Sequence, residues 1–183
     1  MRGPSVDRVI GHAVLFVSAA LIGRTIRWYP LLPEQIPIHF GGDGRPDRWV
    51  SAHWVVWLLL PLMALALSMT MMYLAKWVPK LAEGSPASVN VPDKKRFVQL
   101  SPPARMQVLL PTATYLRWVG LLLILLFAYI VEGTARVAVG QMDKLPLWPV
   151  LLFLAGVLGA LPVMIRTTKR AISMSWEQEH VAP

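Results

Sequence analysis

His39, Asp43 and Asp47 recur at intervals of four residues within one short loop. An imidazole and two carboxylates can ligate a divalent metal, with water completing the shell. Their neighbours favour a second reading. Arg45 and Arg48 lie among them and offset the carboxylate charge. Asp47 is then suited to capping a following helix or pairing with an arginine, and His39 to hydrogen-bonding the loop backbone. A third reading makes the loop a recognition surface for a peptide or an envelope ligand. The other group able to do chemistry is Glu132, the one carboxylate near an apolar stretch, with Arg24 or Arg27 as its expected partner. Such a pair reads as structural before it reads as a proton relay. There is no nucleophile–base arrangement, no HExxH and no phosphate-binding glycine loop. The expectation is therefore no catalytic residue and no cofactor. A metal-dependent membrane enzyme centred on His39, Asp43 and Asp47 is kept as the alternative.

The segments that must position these residues are apolar. Of 183 residues, 55% are hydrophobic and only 15% are charged, and the apolar residues are gathered into long runs. A bilayer needs about 20 mainly apolar residues per helix. Four runs qualify, at about 9–28, 53–75, 116–139 and 145–165. Pro61 interrupts the second, and Pro146 and Pro149 fall in the first turns of the fourth, where proline is tolerated. Ala155/Gly159 and Gly156/Ala160 on the fourth run would either admit a neighbouring helix or simply face lipid. The first run has features of a signal peptide around Ser18-Ala19-Ala20, but its apolar character continues to Ile26, so it is read as an uncleaved helix. The predicted fold is all-α. It is a single membrane domain, a four-helix transmembrane bundle with a short ordered extracytoplasmic loop, a candidate β-hairpin, between its first two helices.

The net charge of +8 would suit nucleic acid, but lysine and arginine cluster beside the apolar runs and leave no soluble basic domain. No nucleic-acid partner is expected; the partner implied is the lipid bilayer. Eleven cations fall on the side of the termini and of the middle loop 76–114, against five on the other. The positive-inside rule puts both termini in the cytoplasm and the 28–51 loop outside. Trp28, Tyr29, Trp49 and Trp54 flank that loop as an interfacial belt would. In the middle loop, 83–92 reads as a flexible linker. Ser101-Pro102 reads as a cap and first turn for a short amphipathic helix, expected to lie on the anionic inner leaflet beside Lys94, Lys95 and Arg96. There is no cysteine, so disulfides and thiolate metal sites are excluded.

In the outer loop, Pro30, Pro33 and Pro37 enforce an extended approach. Ile36, Ile38 and Phe40 alternate with Pro37 and His39 as in a short strand. Gly41-Gly42-Asp43-Gly44 supplies a turn, and Asp47 or Ser51 is placed to cap the second helix. The set Tyr29-Pro30, Leu32-Pro33, Ile36-Pro37-Ile38-His39-Phe40, Gly44, Pro46-Asp47 and Trp49 resembles the signature of the bacterial family called domain of unknown function 1648, related to the SdpI-type immunity and signalling membrane proteins. The chain departs from that pattern after Ser51, where Ala52 and His53 stand in place of a lysine, and in the turn, where Gly-Gly-Asp replaces asparagine. The resemblance implies a multi-span protein of the bacterial inner membrane. In the SdpI-type relatives it further implies protection against a secreted toxic peptide, or signalling to a membrane-sequestered regulator protein.

Overall fold

The computed structural model describes residues 3–180, with side chains from residue 6 onward; Arg2 of the charge count lies outside them. The chain is mostly helical. Its elements run α1 (Gly3–Trp28), a 3-10 turn (Tyr29–Leu31), β1 (Gln35–Phe40), β2 (Pro46–Ser51) and α2 (Trp54–Gly84). A second 3-10 turn (Pro86–Ser88), α3 (Lys94–Gln99), α4 (Pro102–Val108), α5 (Leu110–Ala138) and α6 (Trp148–His180) follow. Four helical stretches are long and apolar enough to cross a bilayer, namely Val6–Leu31, Trp54–Gly84, Pro102–Ala138 and Trp148–His180. This is a multi-pass membrane protein with an antiparallel hairpin, β1–β2, between its first two spans.

The helices are longer than the spans read from hydropathy. At about 1.5 Å per residue, a bilayer core of about 30 Å uses only some 20 residues. α2 has 31 residues and α6 has 33. Apolar runs mark where lipid is; they do not mark where backbone hydrogen bonding ends. Beyond the apolar run, 76–84 and 166–180 contain many good helix formers, and both stretches remain helical.

Backbone contacts divide the chain into two compact units, 1–69 with 120–155 and 70–119 with 156–183. In the first, Trp57 Nε1 donates to the Thr25 carbonyl at 2.9 Å and ties α2 to α1. Ser68 Oγ donates to the Gly120 carbonyl at 2.9 Å and ties α2 to α5. The Tyr129 hydroxyl donates to the Pro146 carbonyl at 2.7 Å and holds the entry to α6. Pro146 thus precedes the helix, and Pro149 alone sits in its first turn.

The second unit has a core of its own, built from Ala82, Val89, Phe97, Leu100, Val108, Leu109 and Ile172. This corrects the reading of 83–92 as a flexible linker. Val89 is buried in that core, and Lys94 Nζ donates to the carbonyls of Ala87 and Val89. A small-residue composition makes a segment compact as well as pliant, and here one valine anchors it. α4 begins as its Ser-Pro start predicts, but Ser101 makes no side-chain cap to its own helix. Its backbone N–H and its hydroxyl both donate to Glu179 of α6, at 3.0 and 2.5 Å. Pro111 lacks an N–H, so the ladder cannot run unbroken from α4 into α5, and the break falls at Leu109. On α6, a Cβ built at Gly159 meets nothing within 4 Å, so no neighbouring group packs against Gly159 itself among the described residues.

Candidate functional site: the hairpin and the helices beneath it

The hairpin folds as its sequence suggests, with two register shifts. Gln35 pairs with Ser51, Ile36 with Val50 and Pro37 with Trp49; the register then shifts, so that His39 opposes Arg48, and shifts back at Phe40, which opposes Pro46. The turn is closed by Gly44 N–H to the Gly41 carbonyl at 2.9 Å and Gly41 N–H to the Arg45 carbonyl at 2.8 Å. The base is closed by Ala52 N–H to the Glu34 carbonyl at 2.8 Å. Tyr29 and Pro30 form the 3-10 turn that leaves α1, and Pro33 follows it before β1. Each proline stands where φ near −65° suits the chain.

His39 and Asp47 meet directly across the hairpin. Nδ1 of the imidazole donates to Oδ1 of the carboxylate at 2.6 Å, and both side chains are half exposed. Asp43 turns the other way: it accepts from the Arg45 backbone N–H at 3.0 Å, and its carboxylate lies 3.8 Å from Arg45 Nε. The three residues spaced by four therefore divide into a pair and a turn residue. Among the described residues, no three His, Asp or Glu side chains lie close enough together to hold a metal ion.

Asp47 and Ser51 do not cap α2. That position belongs to His53, whose carbonyl accepts from Trp57 N–H at 3.0 Å and whose Nδ1 accepts from Val55 N–H at 3.3 Å. Histidine is an uncommon cap, and the usual preference for Asp or Ser pointed two residues too early.

Gly44 is the residue that docks the hairpin. Its φ is +81°, a left-handed conformation that glycine adopts freely. Its carbonyl accepts from Leu145 N–H at 2.8 Å, and a Cβ placed on it would overlap the Leu145 carbonyl oxygen. The Leu145 side chain in turn fills the space above Gly133 of α5, where a Cβ would overlap Leu145 Cδ1. Two glycines far apart in sequence thus receive one leucine, backbone on one side and side chain on the other. Leu145 is only 4% exposed. No motif in the sequence marks it, because its role is defined by what approaches it.

Beneath the docked hairpin lies an apolar cavity of about 470 Å³. Ile36, Ile38 and Phe40 wall it from the hairpin, Trp57 and Met63 from α2, and Val131 from α5. Thr134 is the one hydroxyl-bearing side chain on its wall. Trp49, on the paired strand opposite Pro37, is 43% exposed and does not line it.

A second cluster joins α1 to α5. Glu132 Oε1 accepts from Arg24 Nη2 at 2.6 Å and from Arg136 Nε at 2.8 Å; Oε2 accepts from Arg24 Nε at 2.9 Å and from Trp28 Nε1 at 2.8 Å. The Arg24 guanidinium also lies over the Trp28 ring, 5.3 Å from its centroid. Of the two expected partners it is Arg24 that meets the acid, while Arg27 is exposed. Arg136 and Trp28 were not foreseen, although the i, i+4 spacing of Glu132 and Arg136 on one helix was a readable signal.

No curated protein and no solved structure matches the chain. Residues 14–65 match the domain of unknown function 1648. The matched segment contains most of α1, the whole hairpin and the first turns of α2. The match to that family thus falls on the segment that carries the hairpin.

Proposed function

We propose that this protein is a non-enzymatic sensor or immunity-type factor of a bacterial inner membrane. Its extracytoplasmic hairpin, with the helices beneath it, recognises an apolar ligand, either a hydrophobic peptide or the chain of an envelope lipid. One observation carries this reading: an ordered hairpin roofs an apolar cavity of about 470 Å³. That volume is within the usual range for small-ligand pockets, roughly 300–1,000 Å³, and such pockets are apolar with few polar groups. Four polar side chains of the hairpin engage one another in two pairs, His39 with Asp47 and Asp43 with Arg45. They stiffen the roof and leave recognition to apolar contact.

The test fills the cavity. A photoactivatable 16-carbon fatty acid and a photoactivatable hydrophobic peptide are each crosslinked to the purified protein, and the labelled residues are mapped. Labelling should concentrate on Ile38, Phe40 and Met63. Val131→Trp should reduce it at least tenfold while the hairpin stays folded. Labels spread evenly over the exposed apolar face of α6 would sink the proposal. In a toxin-protection assay, His39→Ala should lower protection while the protein still inserts, because the surface His39–Asp47 contact is worth only about 1 kcal/mol to the fold.

The orientation belongs to the same proposal. With both termini cytoplasmic, reporter fusions at Gly42, Ser88 and the C-terminus should read outside, inside and inside. An outward C-terminus would put the hairpin on the wrong face for an extracytoplasmic ligand.

A further inference from the structure

We propose that the Arg24–Glu132–Arg136 cluster is a binding site for an anionic phospholipid, with the phosphate on the two guanidiniums and one acyl chain in the groove between α1 and α5. The site lies beside the hairpin cavity and shares Val131 of α5 with it, but the proposal does not rest on that cavity.

Charge is the first argument. One carboxylate faces two guanidiniums, and both converge on the same oxygen, Oε1. The carboxylate accepts four hydrogen bonds, which fills its lone-pair sites. Arginine carries five N–H donors. Arg24 spends two of them on Glu132 and Arg136 spends one. The cluster therefore keeps a net positive charge and unspent donors. The guanidinium side chains are 44% and 48% exposed, against 25% for the acid between them. What the cluster presents outward is cationic, and guanidinium matches phosphate in shape as well as charge.

Depth is the second argument. Trp28, which donates to Glu132, is followed by the exposed Tyr29 at the end of α1. Such aromatic side chains gather at headgroup level. A cation there meets phosphates.

The groove is the third argument. A cleft of about 310 Å³ begins at Arg24 and Glu132 and continues along Leu21, Ala20 and Phe16 of α1, facing Ala128 of α5. From Arg24 to Phe16 is about 12 Å of helix at 1.5 Å per residue, directed away from the aromatic end. Ala20 and Ala128 open the space by being small. A charged head beside an apolar channel leading into the bilayer is the outline of one phospholipid. A zwitterionic lipid brings its own ammonium and gains less from the excess charge. Inorganic phosphate gains nothing from the channel.

The experiment is native mass spectrometry of the protein in neutral detergent, given phosphatidylglycerol or phosphatidylcholine with identical acyl chains. Phosphatidylglycerol should be retained about fivefold better, the worth of one cation at a membrane surface. Arg136→Gln should abolish that preference, while Glu132 keeps Arg24 and Trp28 and the fold is held. Ala20→Leu, which fills the channel and leaves the charges in place, should lower retention of phosphatidylglycerol. Inorganic phosphate in millimolar excess should not displace the lipid. Equal retention of the two lipids overturns the proposal. So does a preference unchanged in Arg136→Gln, or one lost only when Arg166, Lys169 and Arg170 are changed to Gln. Displacement by inorganic phosphate overturns it too.

Discussion

Glu132→Gln is expected to lower detergent stability by on the order of 3 kcal/mol, the cost of breaking an ion pair that is partly desolvated. The substitution leaves two guanidiniums converging on a neutral amide, with no charge to hold them together. It also weakens the anchor of Trp28, whose indole N–H donates to the same carboxylate. The link between α1 and α5 at that end of the molecule should loosen. A thermal melt in a mild detergent reads the effect. Arg136→Gln should cost much less, since Glu132 then keeps its two bonds from Arg24. Arg24→Gln combined with Glu132→Gln should also cost less than Glu132→Gln alone, because fewer charges are left unpaired. If Glu132→Gln melts at the wild-type temperature, the carboxylate is solvated and the cluster does not hold the helices together.

Gly44→Ala should detach the hairpin. Two costs combine. A non-glycine residue at φ +81° stores about 1–3 kcal/mol of backbone strain. The new methyl group also occupies the place of the Leu145 carbonyl oxygen, which is backbone and cannot turn aside. Relief requires the Gly44–Leu145 hydrogen bond to break, a further loss of about 1 kcal/mol. Limited trypsin digestion reads the result at Arg48, which lies in β2 and is followed by Trp49, whereas Arg45 is followed by Pro46 and is not cut. Cleavage there should rise at least tenfold in Gly44→Ala. Gly42→Ala is the control: a Cβ at Gly42 meets nothing within 4 Å, so its digestion should match the wild type. Equal cleavage in Gly44→Ala and Gly42→Ala would mean that the Leu145 contact does not hold the hairpin. Gly133→Ala should be milder than Gly44→Ala, because its methyl meets only the flexible end of the Leu145 side chain.

The four apolar runs, each near the length a bilayer requires, determined the helical membrane class directly from the sequence. Alternating Ile36, Ile38 and Phe40, followed by a Gly-rich turn, determined a hairpin, because strand and turn preferences are local. Glu132 was marked by being a lone acid near an apolar run, and the depth of Arg24 and Arg27 narrowed its partner to two candidates. Tertiary structure decided between them, since that choice depends on how α1 is rotated toward α5. It likewise decided that His39 meets Asp47 while Asp43 turns to Arg45: equal spacing by four has no common direction on a hairpin with a register shift. It made His53 the cap of α2, and it gave Gly44 and Gly133 a shared reason in Leu145, 101 and 12 residues away along the chain. The helix lengths and the order of 83–92 also waited on structure, because hydropathy reports lipid and composition reports pliancy. Neither reports the packing that keeps a backbone hydrogen-bonded or a single valine buried.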